Sequence, residues 1–249
     1  MKVLFVGPSL FGTSIENLVG FDEVRTITRC GPARHGDLIH ATLGGATAIG
    51  LVDGLFETTA SVWHKEILFA LSEGVHVLGA ASMGALRAAE CAPFGMIGVG
   101  AIYRRYASGD LDDDAAVAQL HAPAELGCAP LTEALVNVEA TIAGARRSGR
   151  LTARCARALM TSARRLHFRD RSWHRIIETI EDLDQHRQAL DGHLSDCCID
   201  LKARDAAALV AALAAAPTTR ASKPAFSLSY THMLEQTLRT AYRRAPLTG

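Results

Sequence analysis

The stretch Gly74-Val-His-Val-Leu-Gly-Ala-Ala-Ser-Met-Gly-Ala-Leu-Arg-Ala-Ala-Glu90 runs from a short apolar segment through small residues into a helical pattern. Gly74 stands where a left-handed helix cap is expected, and Val75–Leu78 reads as a strand that starts at once, as short helix-to-strand loops allow. Just upstream, Ala60, His64, Ile67, Leu68 and Leu71 recur at the i, i+4, i+7, i+8 spacing of a buried helical face, with Thr58 or Thr59 available as its cap. Helix, strand and helix in this order make a unit of a parallel sheet.

The same pattern extends towards the N-terminus. Val3–Val6, Glu23–Thr28 and Thr47–Val52 read as three earlier strands, each ending in small or polar residues before a helical stretch. The expected fold is therefore α/β, a parallel sheet with flanking helices of Rossmann or flavodoxin-like type, over residues 1–125. Beyond it the strands disappear. Stretches 131–147, 151–167, 172–190 and 200–215 favour helix, which makes 126–216 a helical region. Pro217 and Pro224 bracket a linker before a last helix near 228–242, so 217–249 reads as linker and C-terminal helix.

With 49% hydrophobic and 21% charged residues in a chain of 249, a core can form without staples, and a disordered or fibrous chain is excluded. Lys plus Arg and Asp plus Glu both number 26, so no global field gathers nucleic acid or anionic lipid. The arginines nevertheless crowd between Arg146 and Arg187, a stretch that reads as a solvated helical surface or as a docking face for an acidic peptide. Six cysteines, at 30, 91, 128, 155, 197 and 198, form no CxxC pair and read as reduced thiols. Without a charged-then-apolar leader or an apolar run of roughly 20 residues, a cytoplasmic location away from the membrane is expected.

In an open parallel sheet, ligands bind beyond the carboxyl ends of the strands. Four junctions meet there: Gly7-Pro-Ser9, Cys30-Gly-Pro-Ala-Arg34, Asp53-Gly54 and Ala80-Ala-Ser-Met-Gly84. Gly79–Arg87 has the strand, Ser, x, Gly, helix layout of a nucleophile elbow, which makes Ser82 a candidate nucleophile and the N–H groups around Met83 and Gly84 candidate oxyanion donors. The plainer reading is that Ser82 caps the helix. His64, on the apolar stripe, is a candidate general base or a satisfied core histidine, and Asp53 either orients that imidazole or holds a turn. Lys65 and Glu66 fall off the stripe, as a solvated pair or as substrate contacts. Arg87 either clamps a carboxylate or pairs with Glu90 or Asp53. Ser9 and Arg34, at the first two strand ends, complete the candidate substrate-binding set. Asp112–Asp114 reads as turn and cap. No phosphate loop, zinc-binding helix or dinucleotide fingerprint is present, so neither a cofactor nor a metal is expected.

Gly50-Leu-Val-Asp-Gly-Leu-Phe-Glu57, Val62-Trp-His-Lys-Glu-Ile-Leu68, Gly74–Glu90 and Pro93-Phe-Gly-Met-Ile-Gly-Val-Gly100 together resemble the core of TfuA-like proteins. Looser likeness continues through Gly109–Asp114 and His121-Ala-Pro123, so the resemblance spans roughly residues 1–170. It implies a role beside YcaO enzymes, which use ATP to activate a backbone amide for replacement of oxygen by sulfur. This chain would then release or deliver sulfur from a thiocarboxylated sulfur-carrier protein, with the precursor peptide as a further contact. Two functions follow: a Ser/His-assisted hydrolase acting on the thiocarboxylate, or a non-catalytic adaptor that recruits the carrier or the peptide to YcaO.

Overall fold

The structure, a computed structural model, describes residues 1–55, 60–180, 194, 197–222, 224 and 226–244. The Thr58 or Thr59 cap and most of the second half of the 172–190 helix lie outside them. Contacts divide the chain into two units, Met1–Asp112 with Ala203–Gly249, and Asp113–Lys202.

In the first unit, every side chain of β1 (Lys2–Phe5) and β3 (Ala48–Leu51) is buried, as happens when helices cover both faces of a parallel sheet. Alternation along the strands sorts them. Val3, Phe5, Ile49, Leu51 and Val77 share one cluster, while Leu4, Val6, Ala48, Val52 and Leu78 share the other. With β2 (Ile27–Cys30), β4 (His76–Ala80) and β5 (Ile97–Val99), the strands form an all-parallel sheet of order β2-β1-β3-β4-β5. This is the flavodoxin-like order, whose ligand crevice opens between β1 and β3. The α/β expectation holds.

One strand is shifted from expectation and one is added. Glu23 and Val24 belong to a short helix, α1 (Phe21–Val24), and the second strand starts only at Ile27. Gly20 precedes that helix and Asp22 and Glu23 occupy its first turn, where the helix dipole favours carboxylates. A fifth strand, β5, is added at the sheet edge; three residues with Gly98 at the centre carry almost no strand signal.

The first face of the sheet is covered by α2 (Asp37–Leu43), α3 (His64–Ser72) and α4 (Met83–Cys91), and α5 (Gly100–Ser108) follows β5. Among its described residues, the second unit has helices α6 (Leu135–Arg147), α7 (Ala153–Arg165) and α8 (Trp173–Glu178). Next comes α9 (Leu201–Ala215), whose Ala206, Leu209, Val210 and Leu213 cover the second face of the sheet. Gly50 makes room for it: a Cβ there would lie 2.7 Å from Leu209 Cδ2. The last helix, α10 (His232–Arg244), seats Leu234, Leu238 and Ala241 against Ile39 of α2 and Phe69 of α3.

Asp205 on α9 caps α5, accepting the N–H groups of Ala101 at 2.9 Å and Ile102 at 2.7 Å. Burial nevertheless pushes its carboxyl above the usual range. A raised folded-state value means that the native state holds the proton more tightly, so this group's contribution to stability falls as pH rises from the ordinary carboxylate value through the raised one. The cost of Asp205→Asn is therefore expected to be larger at about pH 4 than at about pH 7, read from urea unfolding of both proteins. A pH-independent difference would contradict it.

In the second unit Arg171 departs from the solvated-surface reading of the arginine-rich stretch. It is buried, and its guanidinium donates to Ala163 O and Leu166 O, both at 3.1 Å, closing the C-terminal end of α7. Arg146, Arg147, Arg150, Arg157 and Arg165 are exposed. Among the described residues, no helix is long and apolar enough to cross a membrane.

Candidate functional site

The loops after β1, β3 and β4 meet beyond the carboxyl ends of the strands, where Ser9, Asp53 and Ser82 are all buried. Asp53 is 2% exposed, and its carboxylate is saturated by the β1 loop: Oδ2 accepts Gly7 N–H at 2.8 Å and Ser9 N–H at 3.0 Å, and Oδ1 accepts the Ser9 hydroxyl at 2.7 Å. Three donors on one carboxylate make a charge-assisted latch that fixes the rim of the crevice. Next to it, Ala33 and Gly54 form an isolated parallel bridge, with Ala33 N–H on Asp53 O and Leu55 N–H on Ala33 O, both at 2.9 Å. Met83 lies directly over Gly54, whose added Cβ would fall 1.9 Å from the Met83 methyl.

The turn between β4 and α4 is strained, but at Ala81 rather than at Ser82. Ala81 has φ +64°, and the Ser82 N–H closes a three-residue turn on Ala80 O at 2.8 Å. A conformation of this kind costs about 1–3 kcal/mol and persists only where the surroundings over-determine it. Ser82 itself has φ −117° and ψ −130°, stands at the N-cap of α4, and its hydroxyl makes no capping bond to that helix. The plainer expectation of a capping side chain is thus not met. Neither is the expectation for Gly84, whose N–H donates to Val52 O at 3.1 Å and so is not free for an oxyanion. The cause is close packing: α4 rests on the backbone of β3, with only glycine fitting at Gly84 and, facing it on β4, at Gly79.

His64 lies elsewhere. The helix begins at His64 itself, not near Ala60, and the side chain is half exposed, with Nε2 2.8 Å from Glu90 Oε2. Arg87 completes this surface cluster, its Nε donating to Val62 O at 3.1 Å and a terminal nitrogen to Glu90 Oε2 at 2.6 Å. Glu90 stands 8 residues beyond Ser82 on α4, roughly 12 Å along the helix axis. Among the described residues no hydrogen bond joins His64 to Ser82 or to Asp53. Of the expected residues, Ser9, Asp53, Ser82, Met83 and Gly84 come together at the strand ends, while His64 and Arg87 form a separate pair.

Glu66 also departs from expectation, since it is 1% exposed rather than solvated. It accepts N–H bonds from Gly36 at 2.8 Å and Trp63 at 3.2 Å, and its Oε1 lies 2.9 Å from His35 Nδ1. Burial pushes its carboxyl up, against the pull of Trp63, His35 and Gly36. α3 is buried on two sides, Ile67, Ala70 and Leu71 towards the sheet and Phe69 towards α10, so a single stripe could not describe it. Lys65 donates to Ser229 O at 3.0 Å, and Arg34 is exposed on the loop that leads into α2. His35, which sequence reasoning passed over, lies against Trp63 with ring centroids 4.3 Å apart and ring planes tilted by 44°. A groove of 760 Å³ opens there, with Arg34, His40, Trp63, Met233 and Thr237 in its walls.

Burial pushes the thiols of Cys30, Cys155 and Cys198 up and that of Cys91 to about 11, which disfavours their thiolates.

No curated protein compared with the chain matches it. Residues 53–172 match the family model described as TfuA-like protein. That stretch opens on Asp53 and includes Ser82, Gly84 and the His64–Arg87–Glu90 cluster; Ser9 and Arg34 precede it, so the match is shorter at its N-terminal side than the motifs implied. From Asp53 at the end of β3 to Ser172, then, the chain is similar to TfuA-like proteins.

Proposed function

We propose that this chain is the sulfur-side partner of a YcaO enzyme in peptide-backbone thioamidation, working in the cytoplasm on a thiocarboxylated sulfur-carrier protein. The observation that carries this reading is the TfuA-like match laid over the strand ends, where a buried serine, its hydroxyl uncommitted to its helix, follows a strained residue. A carrier tail would lie along the crevice. Ser82 attacks the thiocarboxylate carbon, the C–S bond breaks with sulfide leaving, and the hydroxyl proton passes by way of a base to the sulfide. Water then cleaves the acyl-serine, so that thiocarboxylate and water become carboxylate and hydrogen sulfide. Asp53 keeps the β1 loop in place during this chemistry. His64 serves as the base only if carrier docking frees it from Glu90 and re-aims it. ATP chemistry remains with YcaO.

The engagement of His64 by Glu90 favours a second reading, in which the chain is an adaptor that holds carrier, or precursor peptide, beside YcaO and raises effective concentration. Sulfide release by the purified chain from a thiocarboxylated carrier separates the two. The hydrolytic reading expects release without YcaO, reduced about 100-fold or more in Ser82→Ala and in His64→Ala of unchanged fold. Carrier binding without release would leave only the adaptor.

A further inference from the structure

The groove between α2 and α10 contains a hydrogen-bonded chain of hydroxyl, imidazole and carboxylate that is already assembled. Thr237 Oγ1 lies 3.1 Å from His35 Nε2, and His35 Nδ1 lies 2.9 Å from Glu66 Oε1. Glu66, fixed by two backbone N–H groups, can receive only a proton-bearing Nδ1 when ionised, which leaves the Nε2 lone pair facing the Thr237 hydroxyl. That hydroxyl also donates to Met233 O at 2.9 Å, but its single hydrogen turns about the C–O bond and can serve Nε2 instead. The Trp63 ring holds the imidazole from the side. This is the arrangement in which a base, oriented by a third group, activates a nucleophile.

The geometry points to a second acyl-transfer centre, in which Thr237 is the nucleophile, His35 the general base and Glu66 its orienting carboxylate, acting on small acyl esters or thioesters. Trp63 and Met233 offer an apolar wall for the acyl chain, and the Arg34 guanidinium, exposed and 3.8 Å from Asp37 Oδ2, supplies positive charge for the developing oxyanion. The Oγ1–acyl bond forms as the bond to the alcohol or thiol breaks, the proton moving from Oγ1 to Nε2 and on to the leaving group. Water, deprotonated in the same way, returns the acyl group as carboxylate. The centre is independent of the strand-end crevice and of the sulfur chemistry proposed there.

The test is hydrolysis of p-nitrophenyl acetate and butyrate by the full chain. The wild type is expected to turn both over. His35→Ala and Thr237→Val are expected to lower kcat/KM about 100-fold or more, and Thr237→Ser to retain activity. A purely structural latch would change the melting temperature of these variants while leaving kcat/KM per folded molecule alone. That result would overturn the inference. So would a wild type without hydrolysis, or hydrolysis that Thr237→Val keeps and Ser82→Ala loses. Sulfide release is assayed on the same proteins: its failure beside intact ester hydrolysis counts against the sulfur reading only, and the converse against this one only.

Discussion

Gly84→Ala is expected to leave no stably folded first unit. The added Cβ would sit 1.8 Å from Leu51 O and 2.6 Å from its carbonyl carbon. Neither atom can move without breaking the β3 backbone, and the Gly84 N–H bond to Val52 O ties the helix to that spot. A flexible side chain could give way; a strand interior cannot. Gly79→Ala meets the same obstacle from β4, 2.1 Å from Gly84 O. Losses of about 4 kcal/mol or more are expected for either, against changes within about 0.5 kcal/mol for Gly31→Ala, where nothing lies within 4 Å. Urea unfolding checks all three; a Gly84→Ala protein as stable as the wild type would mean that α4 does not rest on β3 as described.

Removing the Asp53 carboxylate is expected to cost almost as much. Asp53→Ala strands the N–H groups of Gly7 and Ser9 and the Ser9 hydroxyl inside the crevice rim. Hydrogen bonds to a charged acceptor contribute about 1.5–3 kcal/mol each, and buried donors left unpaired cost about 1–3 kcal/mol. Because these terms overlap, a loss of about 3–5 kcal/mol is expected, with Asp53→Asn intermediate, since its amide oxygen still accepts the two N–H groups. Denaturant midpoints measure the loss. If Asp53→Ala unfolds like the wild type, the carboxylate does not hold the β1 loop.

These effects have a common origin in topology, and topology is what the sequence displayed most clearly. Apolar runs followed by small residues place Ser9, Asp53 and Ser82 at strand ends, and the parallel sheet brings those ends together. What a local pattern could not display was contact at long range. His35 meets Glu66 across 31 residues and Thr237 across 202, so no motif window contains the three. The α3 stripe failed for a related reason: a helix buried against both the sheet and α10 has two apolar faces, and the half-exposed His64 falls on neither. The strain at Ala81 carries no signal in the sequence, because alanine, unlike glycine, has no left-handed preference of its own. Its conformation is imposed by the β4–α4 packing.

The pairing of His64 with Glu90 and Arg87 gives the TfuA-like region a partly exposed polar cluster, separate from the buried one at the strand ends. Whichever of the two serves the sulfur chemistry, the partner role stands on one reconstitution. A YcaO enzyme, its precursor peptide, ATP and a thiocarboxylated sulfur-carrier protein are combined with and without this chain, and the peptide is read by mass spectrometry for exchange of one backbone oxygen for sulfur. The account predicts that the thioamide forms from the carrier only when the chain is present; thioamide formed equally well without it would contradict the partner role outright.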